Sequence, residues 1–180
     1  MIKHADSAIR QALDGIVLPD ELTVDSLFAA IQELYPRPLE LLRGEPPIEG
    51  LRANGLWLTR PNADSDAMWV APELTGAPAV HSLSHEFGHF RLGHDPVVLR
   101  AAPKPAAPAA EDYQFLSPAF MDGCLIGRPR SQDGSHDPEY VRIEDQAERF
   151  AFALRRRAAA QARENRHRGD ALLDRLYKVL

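Results

Sequence analysis

Two histidines and a glutamate with the spacing of a zinc site stand near the middle of the chain. His85, Glu86 and His89 form the pattern His-Glu-x-x-His. Side chains four residues apart project from one face of a helix, so both imidazoles can bind one tetrahedral zinc ion while the glutamate reaches its bound water. Zinc lowers the pKa of such a water from near 16 to roughly 7. The spacing therefore predicts hydrolysis, with Glu86 as the general base.

This motif is rare by chance in a chain of this composition. With 7 histidines in 180 residues, a random match is expected roughly 0.02 times per chain. The alternative, two histidines on a polar surface, is weakened by apolar Leu83, Phe87 and Phe90, which would place the imidazoles near the core edge. Gly88 is unusual inside a helix, where it costs up to about 1 kcal/mol against alanine, and it suggests close approach of another backbone.

A zinc site with two histidines and a water needs a third protein ligand, and the sequence offers three candidates. His94 and Asp95 follow the motif, and Asp95 stands at its eleventh position, where certain extended zincins place the third ligand. Those patterns need a glycine at the eighth position, which here is Leu92. Glu144 heads a stripe of small and apolar residues on a later helix that could pack against the metal helix. Taken alone, Glu144 is more simply a first-turn acid favoured by the helix dipole. Spacing and periodicity therefore leave the three candidates for the third ligand open.

Hydrophobic periodicity and turn formers divide the chain into helices and short strands. Thr23 or Asp25 can cap the second helix, and Gly169 is expected to separate the last two. The order predicts an α+β fold with N-terminal helices, a small and mainly antiparallel sheet, the metal helix and a later helix that carries Glu144. The predicted helices are 5–14, 23–35, 78–92, 139–168 and 170–179, and the predicted strands are 39–42, 56–59 and 68–71.

A single domain is expected over residues 1–180, because this length can bury a hydrophobic core without disulfides. Residues at about 99–112 are rich in proline and alanine and are predicted to form an extended loop. A helical extension is expected at about 155–180.

The segment after the Pro/Ala-rich loop holds many turn formers and is typical of a lid or binding loop. Tyr113, His136 and Tyr140 lie in or beside it, and each is a candidate to stabilise an oxyanion next to the metal. Met68–Ala71 is a candidate edge strand on which an extended peptide substrate could pair.

Composition narrows the classes of function. The net charge of −5 argues against direct nucleic-acid binding, which normally uses a basic face, and the arginines at 155–157 and 163–168 are expected to be solvated helix surface. The lone Cys124 excludes a zinc site of several thiolates. The start of the chain lacks a signal-sequence pattern, and no apolar run approaches the roughly 20 residues of a membrane span, so we expect a cytoplasmic protein.

The His-Glu-x-x-His motif and the later helix with Glu144 together resemble a known family, the ImmA/IrrE-type metallopeptidases. The resemblance implies a zincin-like fold in which His85 and His89 bind zinc, Glu86 is the base and Glu144 supplies the third ligand. One departure is that the family commonly continues its second motif with Leu-Leu-Met-Pro, whereas this chain reads Leu154-Arg155-Arg156-Arg157. The matching segments are His85-Glu86-Phe87-Gly88-His89 continuing to Leu92-Gly93-His94, and Glu144-x-x-Ala147-x-x-Phe150-Ala151.

The resemblance also implies a function, namely an intracellular zinc endopeptidase that cleaves a protein partner. In this family the partner is often a helix-turn-helix repressor, in stress or mobile-element regulation. An alternative is a catalytically weak zinc-containing module that docks or regulates a partner, as in toxin-antitoxin-like systems. A degenerate relative would usually lose the base first, and Glu86 is present.

Overall fold

Four helices and five strands make up the described part of the chain. The computed structural model describes the backbone of residues 2–47, 53–59, 63–98, 125–126 and 138–177, with side chains within 7–47, 53–59, 63–96 and 138–168. The predicted Pro/Ala-rich loop lies outside the described residues. The elements in chain order are α1 (Ile2–Leu13), α2 (Val24–Gln32), β1 (Leu39–Arg43), β2 (Gly55–Thr59), β3 (Asp66–Val70), α3 (Gly76–Arg91), β4 (Val97–Val98), β5 (Leu125–Ile126) and α4 (Pro138–Tyr177).

The strands form one sheet in the order β1-β3-β2-β5-β4. Three of its four pairings are antiparallel, while β1 runs parallel to β3 with Leu41 opposite Met68. The prediction of an α+β fold with a small, mainly antiparallel sheet is therefore confirmed. Each of the three predicted strands lies within two residues of an observed one, because short apolar runs between turn formers mark strands well.

The prediction that Met68–Ala71 forms a sheet edge is wrong. β3 lies between β1 and β2 and pairs with both, so its backbone groups are already used. Its burial pattern agrees with a central strand, since all five residues of β3 are buried. A strand buried on both faces reads as a continuous apolar run, and nothing in such a run reveals its place in the sheet.

The main core lies between the helices and one face of the sheet. Trp57, Met68 and Val70 project from the sheet into this core. The residues next to them along each strand, such as Leu58 and Trp69, point the other way and form a smaller cluster on the opposite face. This alternation is the period-two geometry of strands. The result is that α3 lies against β2 and β3 on one side and against α4 on another.

Capping and helix-forming residues set the helix limits. Of the two predicted caps, Thr23 is the N-cap of α2 and forms a capping box with Ser26, whereas Asp25 lies in the first turn. The predicted break at Gly169 is wrong, because the backbone of α4 continues through it to Tyr177. A single glycine costs only about 1 kcal/mol in a helix, and the strong helix formers around it offset that cost.

None of the described helices is long and apolar enough to cross a membrane.

Candidate metal centre

The helical spacing of the motif brings two imidazoles to one point on α3. His85 and His89 lie four residues apart, and their Nε2 atoms are 3.1 Å from each other. Glu144, in the second turn of α4, faces both of them: one carboxylate oxygen lies 3.3 Å from Nε2 of His85 and the other 3.6 Å from Nε2 of His89. The structure therefore brings together the three residues that the sequence pointed to as ligands.

Small residues allow α3 and α4 to approach closely enough for this. A Cβ built on Gly88 would lie 2.9 Å from the Phe150 ring and 3.3 Å from the carbonyl oxygen of Ala147. Ala147 and Ala151 are fully buried in the contact between the helices. The close backbone approach that Gly88 suggested is thus confirmed, and its partner is the helix that carries Glu144.

The donor atoms fit a metal ion in their chemistry and spacing. One ligand atom from each of the three residues lies within 4.8 Å of the other two, close to the roughly 3.3 Å between donor atoms that bonds of about 2.0–2.1 Å give in a tetrahedral site. One oxygen of Glu144 is buried without a hydrogen-bond partner among the described residues, a costly arrangement that coordination would relieve. Within the described residues, His85, His89 and Glu144 are the group whose ligand atoms can hold a metal ion.

The other two candidates for the third ligand do not join this group. Asp95 is exposed and lies outside it. His94 lies behind His89 instead of beside it, with Nδ1 of each ring 3.0 Å apart. His94 contacts the ring nitrogen of His89 that faces away from the metal position, so it is a neighbour of a ligand and not a ligand itself.

Glu86 is held between α3 and β2. Its side chain is only 7% exposed, and its Oε2 accepts a hydrogen bond of 2.9 Å from the backbone N–H of Trp57. A Cβ on Gly55 would lie 2.5 Å from the Ser82 hydroxyl and 3.1 Å from Cγ of Glu86. Only a glycine at this position lets β2 come so close to the carboxylate.

The electrostatics of the metal-free site suit a proton acceptor. Burial raises the pKa of Glu86 to about 7, a rise that His85 opposes and Glu144 reinforces. Burial lowers the pKa of His85, but its hydrogen bond to Glu144 and the charges of neighbouring glutamates outweigh that effect, so the net pKa is raised. A bound divalent cation favours ionised Glu86 and unprotonated imidazole.

A third glutamate, which sequence reasoning missed, contacts the far side of His85. Oε2 of Glu148 lies 3.4 Å from Nδ1 of His85 and 3.1 Å from Nε2 of His81. Its position four residues after Glu144, on the same face of α4, is the signal that could have found it. His81 is half-buried and linked to the site through Glu148.

A cleft of about 1140 Å³ opens in front of these residues. It is bounded by the start of β2, by the metal helix and by α4, and exposed Phe152 lies on its wall. Of the three candidate oxyanion donors, Tyr140 lines this cleft, whereas Tyr113 and His136 lie outside the described residues. Gly55, Leu56 and Glu148 also line the cleft.

Comparison with known proteins does not identify the chain. No family model matches it, and neither curated proteins nor solved structures give a match. Function must therefore be inferred from the geometry of the site itself.

Proposed function

We propose that this protein is a zinc-dependent endopeptidase of the ImmA/IrrE type that hydrolyses peptide bonds of a protein partner. The observation that carries the proposal is the convergence of His85, His89 and Glu144 from two helices, with the buried carboxylate of Glu86 beside them. Two imidazoles and one carboxylate, with a position left for water or substrate, are the ligands of hydrolytic zinc sites. A zincin-like fold and a cytoplasmic location are part of this proposal.

Each residue of the site has a separate role in the proposed peptide hydrolysis. His85, His89 and Glu144 would hold the ion, which when bound lowers the pKa of water in its coordination shell and polarises the scissile carbonyl. Glu86 is fixed by the N–H of Trp57, so it can take the proton of the attacking water and return it to the leaving amine. Tyr140 lines the cleft and is a candidate donor to the developing oxyanion.

The open side of β2 supports an extended peptide as the substrate. β5 pairs only with Leu58 and Thr59, so Gly55 and Leu56 have no strand partner on that side among the described residues, while the N–H of Trp57 is used by Glu86. This stretch borders the cleft next to Glu86. A substrate strand added here would gain affinity from backbone hydrogen bonds, and its scissile carbonyl would lie next to the candidate metal site. A helix-turn-helix repressor as the partner rests on the family resemblance alone.

The test combines metal analysis with a change at the base. The purified protein is expected to contain one zinc per chain, and Glu86→Gln should keep that zinc while abolishing cleavage of a peptide library read by mass spectrometry. Glu33→Gln, which neutralises an exposed carboxylate at the C-cap of α2, is the matched control and should cleave normally. Zinc-free protein would refute the proposal, and equal behaviour of both variants and wild type would favour the docking module.

A further inference from the structure

A chain of hydrogen bonds leads from the surface of α4 to the ring of His89. Nδ1 of His89 faces Nδ1 of His94 at 3.0 Å, and Nε2 of His94 faces Oε1 of Gln146 at 3.2 Å. The same oxygen of Gln146 accepts a hydrogen bond of 3.0 Å from Arg142. Four side chains, from α3, from the turn after it and from α4, are therefore connected in series, and the series ends at His89, a proposed metal ligand.

Arg142 determines which end of the Gln146 amide faces His94. A guanidinium can only donate hydrogen bonds, so the atom it contacts must be the amide oxygen and not the amide nitrogen. Glu139 binds the other edge of the guanidinium and holds it in place. Because the Gln146 oxygen also only accepts, Nε2 of His94 must carry the proton in their shared hydrogen bond.

The proton positions of the two rings follow from this. In a neutral His94 with its proton on Nε2, Nδ1 is an acceptor, so His89 must donate to it from its own Nδ1. With that proton placed, Nε2 of neutral His89 carries the lone pair. This is the nitrogen that faces His85 and Glu144, and it is the one a metal ion requires.

We infer that His94, Gln146 and Arg142 are positioning residues that lock His89 in the tautomer competent to bind the metal. This inference rests on the proposed metal site and deepens it. The other ligand has a different support, since Nδ1 of His85 faces the charged and partly exposed carboxylate of Glu148. The carboxylate of Glu148 thus supports one imidazole, whereas the neutral side chains of His94 and Gln146 support the other, and Arg142 fixes the orientation of the Gln146 amide.

The first measurement uses metal-free wild-type protein, so it does not depend on activity. Two-bond proton–nitrogen NMR spectra of the histidine rings at pH 8 distinguish the two tautomers of a neutral imidazole. We expect the proton of His89 on Nδ1 and that of His94 on Nε2. A His89 ring protonated on Nε2 would overturn the inference whether or not any variant folds.

The second measurement compares two substitutions of the same residue. Gln146→Leu removes the acceptor and should mix the tautomers of His89 and weaken zinc binding by roughly 10- to 100-fold, as loss of an outer partner typically does. Gln146→Glu keeps an oxygen toward both Arg142 and His94 and should bind zinc like wild type. The control is Gln161→Leu on the same helix as Gln146, which removes a hydrogen bond to the distant backbone oxygen of Leu18 and should change neither the tautomers nor the zinc affinity.

The outcomes separate this inference from the proposed function. Wild type that binds zinc without cleaving any peptide would contradict the peptidase and leave the relay supported by the NMR result. Unchanged tautomers and zinc affinity in Gln146→Leu would refute the relay even in an active enzyme.

Discussion

Gly88 on the metal helix lies against the backbone of Ala147 on α4, so closely that a Cβ on Gly88 would lie 3.3 Å from the Ala147 carbonyl oxygen. Ala147 is one turn from Glu144, and Gly88 lies one residue before His89. The separation of the two helices at this contact therefore sets the distance between the carboxylate and the imidazoles. The packing of two small residues determines whether three ligands can meet.

Replacing Gly88 with alanine tests this relationship. The added methyl would meet the buried Phe150 ring at 2.9 Å, and overpacking of this kind costs about 1–3 kcal/mol. The gain in helix propensity offsets at most about 1 kcal/mol of that cost. We expect a lower urea midpoint in the metal-free protein and weaker zinc binding in titrations. A variant as stable as wild type with unchanged zinc affinity would show that the helices do not need this spacing.

Glu144→Gln should remove most of the metal affinity and leave the fold intact. The substitution keeps the volume of the side chain but loses the charged ligand that faces both His85 and His89. We expect zinc affinity to fall by more than the roughly 100-fold that loss of an outer partner can cause. Asp95→Asn is the matched control, because Asp95 is exposed and outside the ligand group. If the control loses zinc and Glu144→Gln does not, the third ligand has been misassigned.

Gly55→Ala should slow catalysis without removing the metal. The new methyl would meet the Ser82 hydroxyl at 2.5 Å and Cγ of Glu86 at 3.1 Å, so the carboxylate must move. Displacement of a catalytic group by about 1 Å can cost on the order of 100-fold in rate. The measurement is kcat on a cleaved peptide together with zinc content. Adding Ser82→Ala relieves only the first contact, so recovery of full activity in the double variant would argue against displacement of Glu86.

The metal-free protein should lose stability as the pH rises from about 4.5 to about 7. Burial raises the pKa of Glu86 from 4.5 to about 7, so the folded chain binds one more proton than the unfolded chain in this window. The free energy of unfolding then falls with pH, by up to about 1.4 kcal/mol per pH unit. Denaturation in EDTA between pH 4.5 and 8 measures the slope, which Glu86→Gln should reduce. Parallel curves for the two proteins would mean that Glu86 is not the group responsible.

Local spacing determined much of this protein from the sequence alone. Helix geometry places residues four apart on one face, so His85 and His89 could be assigned to a common site before any tertiary structure was known. The same local rules limited the cap of α2 to Thr23 or Asp25 and identified the strands around Trp57 and Met68. Gly88 even indicated a close helix contact, because glycine inside a helix is otherwise unfavourable.

Tertiary packing decided what spacing does not encode. His94, Asp95 and Glu144 were all open as third ligands, and only the contact of α4 with α3 brings Glu144 to the two histidines. The hydrogen bond from Trp57 to Glu86 joins residues 29 positions apart and leaves no periodic signal in the chain. The central place of β3 likewise depends on which strands pair. Such pairings are settled by complementary shape and buried polar groups between distant segments, whereas a helical repeat depends only on the backbone geometry of neighbours.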